Sequence, residues 1–272
     1  MTGRLEGKAG IIVGAGQTAG ETIGNGRAAS LLFAREGARV LLVDRDMQSA
    51  EETAAMISQE GDAAGAKGAA EPFEADWTKA DQCAAYAAAC VDAFGRIDFL
   101  HNNVGIGAGD ASVLKLEEDV FDRILTVNLK GCLLSCKAVL PVMREQQSGS
   151  IVNISSIAAV ASTPLTAYKI SKLGMNALGQ SLANSNARHG IRVNTIMPGL
   201  MDTPMAIEIA AEQMGITRDE LRAARDRSVP LRGKQGTAWD IARAALFLHS
   251  DEAGFISGVV LPVDGGQSAR VG

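Results

Sequence analysis

Tyr168 and Lys172 stand four residues apart at the start of the helical stretch Ala167–His189, a spacing that sets both side chains on one helix face. Ser155 and Ser156 follow the aliphatic run Ser150–Ile154, at what reads as the carboxyl end of a strand. Asn128 lies in a second helical stretch, between Val127 and Leu129. A free phenol titrates near ~10. An ammonium beside it, joined by the positive nicotinamide of an oxidised dinucleotide, favours phenolate and brings that value toward neutral pH. A serine hydroxyl can hold a substrate oxygen next to the phenol. Together these residue types suit proton transfer coupled to hydride transfer. On spacing alone, a helix-end tyrosine beside a surface lysine reads the same way, so the rest of the chain must supply the context.

That context begins near the N-terminus. The run Ala9–Val13 ends in Gly14-Ala15-Gly16, and a helix opens at Gly24-Asn25-Gly26-Arg27. Glycines there permit a sharp turn and close approach of the backbone to a pyrophosphate, whose charge the helix's N-terminal N–H groups favour. The second strand candidate ends at Asp44, 18 residues beyond Gly26, where an acidic side chain can accept hydrogen bonds from the adenosine ribose hydroxyls. A carboxylate also repels a 2′-phosphate, which points to NAD over NADP. Arg45 keeps NADP as the alternative, because its guanidinium can pair with that phosphate.

The elements that would position these groups alternate along the chain. Strand candidates are Ala9–Val13, Arg39–Val43, Phe99–His101, Ser150–Ile154, Arg192–Met197 and Val259–Val263, with a weaker one at Pro72–Ala75. Between them run the helical stretches Ile23–Glu36, Met47–Glu60, Ala80–Phe94, Phe121–Arg144, Ala167–His189 and Ala238–His249. This order predicts an α/β fold, a doubly wound parallel sheet with helices on both faces. No polar linker divides the 272 residues, so residues 1–272 read as one domain. Aromatics are only 4%, leaving Ala, Val, Leu and Ile to fill the core. The polar stretch Pro204–Lys234 breaks the rhythm after a strand's carboxyl end. There it would overhang the ligand crevice as a substrate lid, with Met201, Met205, Met214 and Leu221 as apolar contacts for a hydrophobic substrate.

Other functions find no footing. The 26 basic and 31 acidic residues show no basic cluster, which argues against a nucleic-acid partner. The first residues lack a signal-peptide pattern, and no apolar run reaches the ~18 residues that span a bilayer. Cys83, Cys90, Cys132 and Cys136 have helical spacings and only His101, His189 and His249 for company, so they read as buried thiols of a cytoplasmic chain, with no metal site. His101 reads as a structural, packed histidine.

With these residues in hand, the chain resembles the short-chain dehydrogenase/reductase family over nearly its whole length. Tyr168-Lys169-Ile170-Ser171-Lys172 is similar to the family's YxxxK, Asn102-Asn103-Val104-Gly105 to its NNAG, and Val127-Asn128-Leu129 to its helix asparagine. Ile154-Ser155-Ser156 resembles its serine-bearing strand end, Pro198-Gly199-Leu200-Met201-Asp202-Thr203 its PGxxxT, and Asp264-Gly265-Gly266 its DGG. The resemblance implies a Rossmann-fold oxidoreductase. Tyr168 would be the general acid/base, Lys172 its electrostatic support and a nicotinamide-ribose ligand, Ser156 (with Ser155 the alternative) the holder of the substrate oxygen, and Asn128 a contact of a proton-relay water. Asp76 and Trp77 would meet adenine, Asn103 and Gly105 would line the adenosine side, and Pro198, Gly199, Met201 and Thr203 would meet the nicotinamide. The opening motif departs from the family's TGxxxGxG. Val13 replaces the threonine, and the residues Gln17–Thr22 lengthen the loop by six, either to wrap the pyrophosphate or to reach a neighbouring subunit. The expected activity is NAD-dependent oxidation of a secondary alcohol, reversible to ketone reduction, in a homotetramer built through the long helices beginning near Phe121 and Ala167. The alternatives are an NADP-dependent carbonyl or acyl-carrier ketone reductase and, more remotely, a non-catalytic dinucleotide sensor.

Overall fold

A computed structural model describes residues 3–64 and 69–270. Nine strands occur among them: β1 Ala9–Val13, β2 Arg39–Asp44, β3 Ala70–Glu74, β4 Phe99–Asn102, β5 Gly149–Ile154, β6 Ile191–Pro198, β7 Met201–Asp202, β8 Gly236–Thr237 and β9 Val260–Val263. Seven of them form one parallel sheet in the order β3-β2-β1-β4-β5-β6-β9, while β7 and β8 make a short parallel pair of their own. The helices are α1 Asn25–Arg35, α2 Met47–Ala64, α3 Ala80–Phe94, α4 Glu118–Leu125, α5 Gly131–Gln146, α6 Thr166–Asn186, α7 Pro204–Met214, α8 Arg218–Arg227 and α9 Ala238–His249.

The central strands are buried on both faces, which is why β1 and β2 read as unbroken aliphatic runs without polar alternation. Ile12, Leu42, Val152 and Ile196 face a core shared with α1, α2 and α9. Ile11, Leu41, Ile151 and Val193 face the opposite core, shared with α3, α5 and α6. Alanines on α1 and α9 (Ala28 and Ala29, Ala242 and Ala245) let these helices lie close together, as the low aromatic content requires. The chain order reverses between β1 and β4, and the crevice outside the carboxyl ends of these strands is where ligands of such sheets bind.

The fold is the expected doubly wound sheet in a single domain, with differences that matter for the site. The stretch expected as one helix from Phe121 is interrupted: α4 and α5 are joined by a π-turn, Thr126–Lys130, a form that recurs at functional sites. The composite helix Glu118–Gln146 is long and apolar enough to cross a membrane by length and composition only, and Lys130 and Lys137 interrupt its apolar run. Its inner face packs on β4, β5 and α3 of this same domain. The weak strand candidate is real and becomes the edge strand β3. The segment Pro204–Lys234 folds into α7 and α8, anchored by the pairing of β7 with β8.

One core feature carries a polar group without a partner. Phe33, Phe99, His101 and His249 form an aromatic cluster, with the two imidazole centroids 5.7 Å apart and Phe33 5.6 Å from His101. Both ring nitrogens of His101 lack a hydrogen-bond partner, so this histidine is packed without being bonded. Burial holds it neutral, its pKa pushed down to about 3. Between the ordinary imidazole value and that one, the unfolded chain binds a proton that the folded chain refuses. Stability therefore falls as pH drops through this window, by ~1.4 kcal/mol per pH unit. His101→Leu is expected to flatten the loss of melting temperature between about pH 7 and about pH 4. Thermal melts across that range check this, and an unchanged slope refutes it.

Candidate active site

At the carboxyl end of β1 the chain turns through Gly14, whose φ of +80° suits glycine. Helix α1 then approaches so closely that a Cβ on Gly26 would overlap the Gly14 carbonyl oxygen and lie 2.7 Å from Asn103 Nδ2. That amide donates to the Gly14 carbonyl at 3.3 Å, tying the end of β4 to the end of β1. Gly24 occupies the N-cap of α1 without a capping side chain, which leaves the helix's first N–H groups for a ligand. The buried Oδ1 of Asn25 likewise has no partner. A small-residue cradle, open N–H groups and an unpaired amide fit the pyrophosphate of a dinucleotide.

The inserted residues belong to this loop. Gln17 Oε1 accepts from the Gly24 N–H at 2.9 Å, and the Gln17 N–H donates to Ser49 Oγ at 2.9 Å. Farther out, Glu21 pairs with Arg218 at 3.0 Å and Arg222 at 3.1 Å, so the insertion is tied to α8 of its own chain. Arg27 is buried between α1 and α2 and donates to Thr53 Oγ1, the Ser49 carbonyl and Glu52. Asp44 ends β2 with Oδ2 accepting from the Gly16 N–H at 2.9 Å and Oδ1 from the Asp46 N–H at 3.1 Å. Each carboxylate oxygen keeps a second lone pair for a ribose hydroxyl.

The second half of the site gathers on β5, α6 and the π-turn. Ser155 is buried and its hydroxyl donates to the Lys172 carbonyl at 2.9 Å. The neighbouring Ser156 is only half-buried. It caps the short 3₁₀ turn Ile157–Ala159, accepting from the Ala158 N–H at 3.1 Å, and its hydroxyl donor is left free among the described residues. Spacing left the two serines ambiguous; in the fold Ser155 is committed to a carbonyl while Ser156 keeps its hydroxyl donor. Burial pushes the Tyr168 phenol up from its ordinary value, and the Ser156 hydroxyl opposes that rise.

Lys172 is buried, with Nζ donating to the Ile154 carbonyl at 2.9 Å and lying 5.7 Å from the centroid of the Tyr168 ring. Burial lowers its pKa to about 8. Gly105 makes room for it, since a Cβ there would sit 2.9 Å from Nζ. Asn128 is fully buried, and its side chain is committed: Oδ1 accepts from the Ile106 N–H at 2.8 Å, while Nδ2 donates to the Ile106 carbonyl at 2.9 Å and to Ser171 Oγ at 3.0 Å. A relay water would thus have to meet the main chain of Asn128.

The remaining expected residues divide. Asp76 follows β3, and burial would raise its carboxyl, but the Thr78 hydroxyl and N–H, with Lys79 and Arg45, hold it below its usual value. The Trp77 side chain needs correction as an adenine contact. It is 3% exposed and wedged against Gly131 of α5, where a Cβ would meet the indole nitrogen at 2.5 Å. Only its main chain can face the crevice. Pro198 ends β6, and Gly199 donates its N–H to the Val263 carbonyl at 3.0 Å. The Met201 side chain is also inward, its carbonyl held by Arg225 at 3.1 Å. Thr203 stands at the N-cap of α7 without making a cap bond, leaving its hydroxyl for a ligand.

Comparison with known proteins agrees with this geometry. A family profile described as enoyl-(acyl carrier protein) reductase matches residues 19–268. 2-(S)-hydroxypropyl-CoM dehydrogenase 3 of Xanthobacter autotrophicus is 37% identical, over 99% of this chain and 100% of its own length. The 3-oxoacyl-(acyl-carrier-protein) reductase of Thermotoga maritima is 35% identical, over 97% of this chain and 98% of its own. A crystal structure from Burkholderia xenovorans, assigned to the short-chain dehydrogenases/reductases, superposes with a TM-score of 0.91 at 38% identity, covering 99% of this chain and 100% of that one. With its parallel sheet, glycine crevice and Ser-Tyr-Lys cluster, this chain belongs to the short-chain dehydrogenase/reductase family of nicotinamide-dependent oxidoreductases.

Proposed function

We propose that the protein oxidises a secondary alcohol to a ketone with NAD and, in reverse, reduces the ketone. The observation that carries this reading is the buried Lys172 ammonium, 5.7 Å from the centroid of the Tyr168 ring and bonded to the Ile154 carbonyl at the carboxyl end of β5, where Ser156 keeps a free hydroxyl donor. The bound dinucleotide supplies the acceptor for the hydride leaving the carbinol carbon. Ser156 holds the substrate oxygen, and Tyr168 takes the hydroxyl proton. Lys172, anchored on the Ile154 carbonyl, favours the phenolate electrostatically and is positioned to meet the nicotinamide ribose. The preference for NAD rests on Asp44, which ends β2 as a carboxylate where a 2′-phosphate would lie. The exposed Arg45 beside it supports the second reading, an NADP-dependent ketone reductase, as does the likeness to a 3-oxoacyl-(acyl-carrier-protein) reductase.

Helices α7 and α8 serve as a substrate lid in this reading. Exposed Met205, Ile209 and Met214 on α7 favour a hydrophobic alcohol. A groove of about 410 Å³ lined by Leu125, Thr126, Leu129, Lys130, Leu133 and Leu178 supports self-association through the helices beginning near Phe121 and Ala167, the tetramer being the family's expectation. Four free, buried thiols fit a cytoplasmic protein.

Three outcomes test the reading. Tyr168→Phe is expected to lower turnover of a secondary alcohol by about a hundredfold or more while NADH binding, followed by fluorescence, changes little. Retained turnover would sink the assignment. Asp44→Ala is expected to raise the NADP-to-NAD ratio of kcat/KM, and an unchanged ratio removes Asp44 from the ribose site. The third uses the fact that Tyr86 and Tyr168 are the two tyrosines of the sequence. In a Tyr86→Phe background, absorbance titration of the free protein reads Tyr168 alone. Its midpoint is expected above the ordinary phenol value, and Ser156→Ala is expected to raise it further by removing the hydroxyl that favours the phenolate. A fall on that substitution contradicts the proposed contact.

A further inference from the structure

We propose that Asp110, from a loop remote in sequence, is a positioning residue for Tyr168, an inference that rests on the catalytic reading of Tyr168 given above. Helix α6 begins without a capping side chain of its own: Leu165 occupies its N-cap and offers no acceptor. The loop after β4 supplies what the local sequence lacks. Asp110 Oδ1 accepts from the Ala167 N–H at 3.1 Å, and Oδ2 accepts from the Tyr168 N–H itself at 2.7 Å. The next residue continues the contact, the Ala111 carbonyl accepting from the Thr166 N–H at 3.3 Å. Three N–H groups in the first turn of α6 are therefore satisfied by two consecutive residues more than fifty positions upstream.

The loop that bears Asp110 is itself fixed. Asn128 grips Ile106 through both its N–H and its carbonyl, and Arg123 donates to the Ala108 carbonyl at 2.8 Å. The Ala111 N–H, donated to Asp110 Oδ1 at 2.8 Å, orients the carboxylate. The circuit then closes on the other side of the tyrosine. The Tyr168 carbonyl accepts from Ser171 Oγ at 2.8 Å, and Ser171 Oγ accepts from Asn128 Nδ2 at 3.0 Å. Both polar groups of the Tyr168 main chain are thus held in one circuit that runs by hydrogen bonds from Asn128 to Ile106, along the main chain to Asp110, and by hydrogen bonds on through Tyr168 and Ser171 back to Asn128. Gly107, on the same loop, lies beside the tyrosine ring: Tyr168 Cδ2 is 3.5 Å from the place a Cβ on Gly107 would take. Asp110 touches no reacting atom. It sets where the turn carrying the phenol sits relative to Ser156, and proton transfer is sensitive to displacements of about 1 Å.

The test compares wild type, Tyr168→Phe, Asp110→Ala and Asp110→Asn. Each is assayed with NAD and the best secondary alcohol from a panel of 2-butanol, cyclohexanol and 1-phenylethanol, alongside NADH affinity and amide hydrogen exchange of a peptide spanning residues 166–169. Asp110→Ala is expected to lower kcat about tenfold or more, leave NADH affinity within about twofold, and speed exchange of the Ala167 and Tyr168 amides. Asp110→Asn keeps one acceptor oxygen but turns an NH₂ toward a backbone N–H, and is expected to lose about threefold. Wild-type kcat in Asp110→Ala with only a lower melting temperature would show a structural cap and overturn the proposal, as would unchanged amide exchange. If Asp110→Ala does not fold, Asp110→Asn decides, its loss supporting the proposal and full kcat overturning it. An active Tyr168→Phe, or a wild type inert toward the whole panel, would instead bring down the reading of Tyr168 on which the proposal stands.

Discussion

Lys172 carries its ammonium into a place from which water is nearly excluded, and much of the crevice is arranged around that charge. A buried ammonium is costly unless its donors find acceptors, and here the Ile154 carbonyl at the end of β5 provides one. Ser155 fixes the same helix turn from below by donating to the lysine's own carbonyl, so strand end and helix are joined by two bonds running in opposite senses. Gly105 and the Asn128 side chain lie on the opposite side of the ammonium, the first by leaving space and the second by holding the loop that passes there. The burial that weakens the ammonium, lowering its pKa to about 8, also removes the water that would screen its effect on the nearby phenol.

The layer beneath is unusually polar for a sheet interior. Asn102 on β4 donates to Asn153 on β5 at 2.9 Å and accepts from Ser135 on α5 at 2.7 Å, with the Cys132 thiol 3.3 Å from Asn153. Such a network permits fewer alternative arrangements than aliphatic packing does. It registers α5, and with it the π-turn bearing Asn128, against the strands whose ends form the crevice.

On the other flank the lengthened glycine loop and the segment after β6 are one assembly. Gln17 and Ser49 fold the loop back on itself, while Glu21 projects to Arg218 and Arg222, and Arg222 also meets Asp202 at 3.3 Å. Isolated surface pairs contribute little, but here several charges share partners, so the lengthened glycine loop and helix α8 are held together through charge.

The sheet was legible in the sequence because parallel strands covered on both faces must be aliphatic, and their order with the helices allows few topologies. The positive φ of Gly14, the close approach at Gly26, the strand end at Asp44 and the helix face shared by Tyr168 and Lys172 were legible as well, since each answers a local demand. Ser155 and Ser156 could not be told apart until α6 lay beside β5, when one hydroxyl was spent on a carbonyl and the other kept its donor free. Trp77 followed the motif's position, yet its large ring turned inward against Gly131, a contact that exists only once α5 packs beside it. The role of Asp110 was hidden for the same reason: its bonds cross 57 and 58 residues of sequence. Sequence alone determined the strands of the main sheet and the residue types at their ends, because backbone geometry and burial act over a few residues. The direction of each side chain, and which serine, amide or carboxylate serves the tyrosine, were decided by the tertiary structure, because hydrogen bonds depend on positions in space that spacing along the chain does not set.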